Sequence, residues 1–263
     1  MKRSTGSTVG ARWMAPIEAS LQACSPRLRR SRRVVEVSVV LLSLMQDLQQ
    51  HRGLSGALLD QQLTFRGERA AVAEKLQRSL RAVAEQFGER HAVFRSDSWR
   101  GLLARWEALS NNWPNLDFST NLSAHSELVL AVVDILGEIA RDNAESLGVR
   151  RTRVASEWPA LAEHLGMLRA IGLHLIGAAH GMDDARLCGA FKHHLHEFRS
   201  LLASIAADGY TPDALLQRSE LVVARVVALR DGATKIGAQA YHDQMTRNID
   251  DWFAAIRSQL SSS

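Results

Sequence analysis

The chain has 263 residues, and a composition of 46% hydrophobic and 23% charged residues allows one or two globular domains with a sizeable core. Its two cysteines, Cys24 and Cys188, are isolated and indicate no disulfide framework, and the apolar run at 34–45 is too short to span a bilayer. Five prolines, two tyrosines and the lack of an alternating apolar pattern favour helix nearly everywhere, so the sequence predicts an all-α fold.

The basic residues are concentrated at the start of the chain. Residues 1–33 have eight Lys and Arg against one acidic residue, a net charge of +7, which leaves −3 for the rest because the whole chain carries +4. We expect residues 1–32 to be a flexible head. Its Arg-Arg-Ser-Arg-Arg run suits nucleic acid or an acidic partner, although a solvated tail is the simpler interpretation. No signal peptide is recognisable, so we expect a cytoplasmic protein without membrane contact.

Eight helices are predicted, four on each side of a break at Gly148. Those of the first half, residues 33–148, are expected at about 33–60, 68–88, 98–111 and 123–145. Those of the second half, residues 149–263, are expected at about 156–179, 184–208, 213–230 and from 238 onward. The pattern therefore predicts two four-helix bundles.

The first helix has a charged residue on its apolar face. At about 100° per residue, one narrow face contains Leu41, Leu44, Leu48, Arg52, Ser55 and Leu59. Arg52 therefore points inward, where an unpaired guanidinium costs several kcal/mol, on the order of other buried ions. No carboxylate lies three or four residues away on this face. The counter-ion must come from another segment or from outside the protein.

Residues 161–176 repeat the pattern of residues 44–59, and Arg169 stands in register with Arg52. Arg169 therefore also points inward. Small residues follow each arginine: Gly53 and Ser55 in the first copy, Gly172 in the second. Because glycine costs about 1 kcal/mol in a helix interior, its use beside a charge indicates that a backbone or a small ligand approaches closely. Two inward arginines on matching helices predict a site for a small anion.

The string Leu48-Gln49-Gln50-His51-Arg52-Gly53-Leu54-Ser55-Gly56 resembles the signature of the NIT domain, the nitrate- and nitrite-sensing domain of bacterial regulators. Residues 165–172 resemble the later leucine- and arginine-rich helix of that family, and the resemblance spans roughly 34–260. It implies an all-helical sensor in which arginines from separate helices enclose one nitrate or nitrite. The resemblance assigns Arg52 and Arg169 to that role. The sequence departs from the family pattern at His51, where members of the family often have an acidic or basic residue.

The family pattern also includes an arginine from a late helix. Arg230 lies about 40° from the centre of the apolar stripe on its helix, whereas Arg225 lies on the flank and Arg247 lies near the solvated side of the last helix. We therefore choose Arg230 as the third arginine, with the other two as alternatives.

These observations predict a non-enzymatic sensor that needs no cofactor and no metal. Nitrate suits the site because its oxygens accept the paired donors of a guanidinium. Gly53, Ser55 and Gly172 are expected near the anion. The output is expected to be a separate regulatory protein, and a homodimer is left open.

Two other interpretations remain. The chain could be a helical interaction module without a ligand, in which one of four carboxylates neutralises the arginines: Asp134, Glu138, Glu163 or Asp231. The second is a metal site. His193, His196 and Glu197 have a spacing that could place metal ligands on one face of a helix, but solvated histidines on a helix usually have no such role.

Overall fold

The computed structural model describes residues 26–61, 63–177, 184–230 and 236–262, with the side chains of residues 64 and 230 excepted. These residues form nine α-helices and no β-strand, which confirms the all-α fold. The helices are α1 Pro26–Leu59, α2 Arg66–Phe87, α3 Asp97–Asn112, α4 Phe118–Asp142, α5 Ala144–Leu147, α6 Val149–Gly177, α7 Ala185–Ala207, α8 Asp213–Arg230 and α9 Ala238–Ser261. In the described part of the chain, no helix is both long and apolar enough to cross a membrane.

Three helices begin earlier than the sequence predicts. α1 is helical from Pro26, the first described residue and seven residues before the expected start, and Ser31 is buried within this added part. Residues 26–32 of the expected head are therefore helical, and residues 1–25 lie outside the described part. α4 begins at Phe118, since Asp117 accepts a hydrogen bond from the backbone N–H of Thr120. α6 begins at Val149, so Pro159 lies inside it.

The two longest helices, α1 and α6, form the centre of the molecule. α1 packs on α2, α4 and α6, while α6 also packs on α4, α7 and α9; α3 covers α4, and α8 covers α7 and α9. This arrangement is consistent with two four-helix groups, α1–α4 and α6–α9. One continuous set of buried apolar side chains runs through both groups, so they share a core. The division into two domains stays a prediction.

Candidate anion-binding site

Arg52 on α1 and Arg169 on α6 both lie in the interior between these helices. Their exposed fractions are 1% and 5%, as the apolar stripes predict. Gly166 on α6 lets the helices approach, because a Cβ there would lie 2.7 Å from Nη2 of Arg52 and 2.9 Å from Cδ of Gln49. Gly166 lies three residues before Arg169, a position that the sequence alone does not single out. Its role is to leave room for two polar side chains of α1.

Arg52 is neutralised by a carboxylate from α6. Its Nη1 lies 2.5 Å from Oε1 of Glu163, its Nη2 lies 3.2 Å from Oε2, and Nη1 also donates to the Ser126 hydroxyl at 3.1 Å. Glu163 is itself only 4% exposed. The counter-ion thus comes from another segment, and Glu163 is one of the four carboxylates considered above. A two-pronged pair of this kind is geometrically specific, and breaking it leaves an uncompensated buried charge.

Arg169 has no such partner. Its Nη1 donates to the Thr246 hydroxyl at 3.0 Å and its Nη2 to the Gln49 carbonyl at 3.0 Å, and its buried Nε has no acceptor within the described structure. Burial lowers the pKa of Arg169 to about 10, and the charge of Arg52 adds to this effect. Arg169 therefore stays protonated at neutral pH. The two arginines and Glu163 together carry a net charge of +1.

Gln49 connects the two arginines. Its backbone carbonyl accepts from Arg169, and its side-chain Nε2 donates to Oε2 of Glu163 at 2.9 Å and to the Ala162 carbonyl at 3.1 Å. Sequence analysis missed this residue, although it belongs to the motif string. The available signal was its position three residues before Arg52, which puts it on a neighbouring part of the buried surface.

A cavity of about 230 Å³ adjoins Arg169 between α1, α2, α6 and α9. It is lined by Gln46, Gln49, Gln50, Leu54, Glu68, Arg169, His242, Thr246, Ile249 and Asp250. Its two carboxylates already accept amide hydrogen bonds, Asp250 from Gln46 at 2.7 Å and Glu68 from Gln50 at 3.1 Å. Because one water takes up about 30 Å³ of liquid, the cavity has room for a small ion with several waters.

The predicted small residues have different surroundings. A Cβ at Gly53 would lie 3.9 Å from Nη2 of Arg169, so Gly53 is beside the second arginine. A Cβ at Gly172 would lie 2.2 Å from Oη of Tyr241, which donates to the Leu168 carbonyl at 2.7 Å. Gly172 therefore makes room for a tyrosine of α9. Burial raises the pKa of Tyr241, so its hydroxyl stays protonated.

Of the late arginines, Arg225 and Arg247 do not complete the cluster. The side chain of Arg230 lies outside the described residues. Arg225 is exposed and donates to Oε1 of Gln244 at 2.6 Å, and Arg247 is exposed on α9. The choice of Arg230 stays a prediction.

Ser55 belongs to a second polar cluster, formed by residues of α1, α2 and α4. Its Oγ lies 3.4 Å from Nε of Arg69 and 3.5 Å from Nδ1 of His51. Nδ1 of His51 lies 2.7 Å from Nε2 of His125, whose Nδ1 lies 2.8 Å from the Asn121 carbonyl. A carbonyl accepts only, so His125 donates through Nδ1 and accepts from His51 through Nε2. The structure does not bring Ser55 to Arg52 or Arg169.

Both histidines of this cluster are neutral. Burial lowers the pKa of His51 well below its ordinary value and lowers the pKa of His125 to about 3. The nearby charge of Arg69 acts in the same direction on both. The departure from the family motif at position 51 thus places an uncharged, fully buried ring beside Arg52.

The histidine-rich part of α7 does not form a three-ligand metal site. Nδ1 of His194 lies 2.9 Å from Nδ1 of His164 on α6, and His193 is adjacent to both rings. Within the described ranges, no three His, Cys, Asp or Glu side chains are grouped so that they could hold a metal ion.

The fold and this interior define an all-helical protein with two buried arginines between its two central helices, of which Arg52 is paired with a carboxylate and Arg169 forms no ion pair in the described structure. The family model described as nitrate and nitrite sensing, NIT, matches residues 43–262. The chain therefore belongs to the NIT family, and the match contains both arginine motifs. No curated protein and no solved structure matches the chain.

Proposed function

We propose that the chain senses nitrate or nitrite by binding the anion in the cavity beside Arg169. One observation carries this proposal: Arg169 is a buried guanidinium whose two hydrogen-bond acceptors, the Thr246 hydroxyl and the Gln49 carbonyl, are uncharged. The negative charges of Asp250 and Glu163 raise the pKa of Arg169, but neither carboxylate forms a hydrogen bond with it in the described structure. A planar monoanion supplies charged acceptors in direct contact with the guanidinium fork. Gly53 leaves the space next to this fork free of a side chain.

Glu163 competes with the anion for Arg52. Its carboxylate already occupies both terminal nitrogens of Arg52, so an anion shared by the two arginines has to replace it. Gln49 contacts Glu163 and Arg169 at once, so displacement of Glu163 is coupled to the Arg169 side of the cluster. The exchange provides two arrangements with different affinities for the anion, which is what a sensor requires.

The structural change on binding is then transmitted to a partner protein through a shift in the packing of α6. This helix contributes Glu163 and Arg169 and packs on α1, α4, α7 and α9, so a shift of α6 changes the fit between the two helix groups. A separate regulatory output protein receives this change. The cytoplasmic location and the homodimer stay predictions.

The test is a thermal unfolding titration of the full chain with sodium nitrate, sodium nitrite and sodium chloride at equal ionic strength. A ligand at 100 times its dissociation constant stabilises a fold by about 2.7 kcal/mol, so the Tm should rise more with nitrate or nitrite than with chloride. Equal curves for all three salts would exclude a selective site.

The interaction module without a ligand is favoured by one observation, the pair between Arg52 and Glu163. That pair is what an internal salt-bridge role predicts. It leaves Arg169 without an ion pair in the described structure, however, and this is why sensing is the better supported function.

A further inference from the structure

Arg69 on α2 is a second cation without a counter-charge. It is half-buried, its guanidinium carbon lies 3.9 Å from the centroid of the Trp113 ring, and it forms no ion pair within the described part of the chain. Its Nε reaches the Ser55 hydroxyl at 3.4 Å, a long contact, and its buried Nη2 has no acceptor among the described residues. Stacking on an indole stabilises the guanidinium and fixes its plane, but it does not neutralise the charge.

The fully buried side-chain amide of Asn121 lies at the same height along the bundle as Ser55, the residue that Arg69 contacts. α1 and α4 run antiparallel, since His51 meets His125 and Gly56 lies against Phe118. Asn121, one turn before His125 on α4, is therefore level with Ser55, one turn after His51 on α1. Asn121 is 0% exposed, and neither its Nδ2 nor its Oδ1 has a partner in the described structure. Buried amides are normally hydrogen-bonded, so a bound species should account for both atoms.

The net charge of this cluster favours a monoanion as its ligand. The neutral histidine pair adds no charge, and burial lowers the pKa of Arg69 only to about 10, so one positive charge is left at neutral pH. A monoanion balances it. A dianion such as sulfate would leave an uncompensated negative charge against the buried amide, which is unfavourable.

We propose that Arg69, Ser55 and Asn121 form a second binding site, for a small monoanion such as nitrate, nitrite or a halide. The anion accepts from Nη2 of Arg69 and Nδ2 of Asn121, while Oδ1 of Asn121 accepts from a water beside it. The site lies at α1, α2 and α4, whereas the proposed sensing site lies beside Arg169 at α1, α2, α6 and α9. It does not depend on the proposed function.

Bromide tests this site in crystals of the full chain, because its anomalous scattering separates it from water. We expect a bromide within hydrogen-bond distance of Arg69 in the wild type and its loss in Arg69→Gln. Arg66→Gln, an exposed arginine at the start of the same helix, should keep it. A water in place of bromide at Arg69 would overturn the proposal.

Nitrate tests the site in solution through the NMR signals of the arginine Nε–H groups. The Arg69 signal should titrate with nitrate, and Asn121→Leu, which keeps Arg69, should weaken this titration by about tenfold or more because a hydrogen bond to a charged ligand is lost. Arg169→Gln should leave it unchanged, which separates this site from the sensing site. An Arg69 signal that does not respond to nitrate, with bromide seen in crystals only, would mean binding at crystal concentration only and would also overturn the proposal.

Discussion

Tyr241 on α9 occupies the space that a side chain at Gly172 on α6 would need. A Cβ at Gly172 would lie 2.2 Å from Oη and 2.5 Å from Cζ of the tyrosine, and the ring is fixed by the hydrogen bond from Oη to the Leu168 carbonyl. The sequence predicts that a backbone or a small ligand approaches this glycine, whereas the structure places a side chain of α9 there. This contact joins the helix of Arg169 to the last helix of the chain.

Gly172→Ala should destabilise the protein by about 1 to 3 kcal/mol, the usual cost of overpacking a core. The control is Gly189→Ala on α7, where nothing lies within 4 Å of the added Cβ. That change should stabilise the protein by about 0.5 to 1 kcal/mol, because alanine is the better helix former. Urea unfolding measures both, and equal effects of the two substitutions would contradict the contact with Tyr241.

Glu163→Gln should lower the free energy of unfolding by about 3 to 5 kcal/mol, because it leaves Arg52 buried without a counter-charge. The double variant Arg52→Met with Glu163→Met should recover much of this loss. In addition, nitrate should raise the Tm of Glu163→Gln more than that of the wild type, because the competitor for Arg52 has been removed. If the single variant is as stable as the wild type and equally responsive to nitrate, the pair has no part in binding.

Arg169→Gln should abolish the nitrate-dependent rise in Tm and leave the protein folded, since it removes a buried charge that forms no ion pair in the described structure. The matched control is Arg247→Gln, an exposed arginine on α9, which should respond to nitrate as the wild type does. Thermal unfolding with nitrate and chloride at equal ionic strength gives the comparison. A full nitrate response in Arg169→Gln would place the anion elsewhere.

Acid should destabilise the fold through its buried histidines. Burial lowers the pKa of His194 from 6.5 to about 4, and neighbouring His164 is lowered as well. Because the unfolded chain binds these protons more readily, the free energy of unfolding should fall as the pH drops from about 6.5 to about 4. His194→Gln should make this pH dependence shallower, as measured by urea unfolding across the range. A slope identical to that of the wild type would assign the effect to the other histidines.

Much of the fold follows from periodicity alone. Long apolar stripes and few breakers predict eight of the nine helices that the described residues form, and the same stripes predict that Arg52 and Arg169 are buried. The start of α1 could not be predicted because its first turns are basic, and they are ordered by distant contacts such as Arg30 with Asn143 at 2.7 Å.

The candidate site was only partly predictable. Periodicity assigns a residue to a face of its helix, but it does not identify the neighbouring helix. Four carboxylates could have met Arg52, and only the packing of α6 on α1 selects Glu163. For the same reason Ser55, which shares a stripe with Arg52, meets Arg69 from α2 instead.

The contacts of Gln49 with Glu163 and Arg169 differ in how substitution can change them. Its bond to Glu163 belongs to the side chain and is lost when most other residues replace glutamine. Its bond from Arg169 ends on the main-chain carbonyl, which every amino acid provides. Mutation at position 49 can therefore tune how firmly Glu163 is held without removing the acceptor of Arg169. Under the proposed function, substitution of Gln49 would change the response to the anion while the anchor of Arg169 is kept.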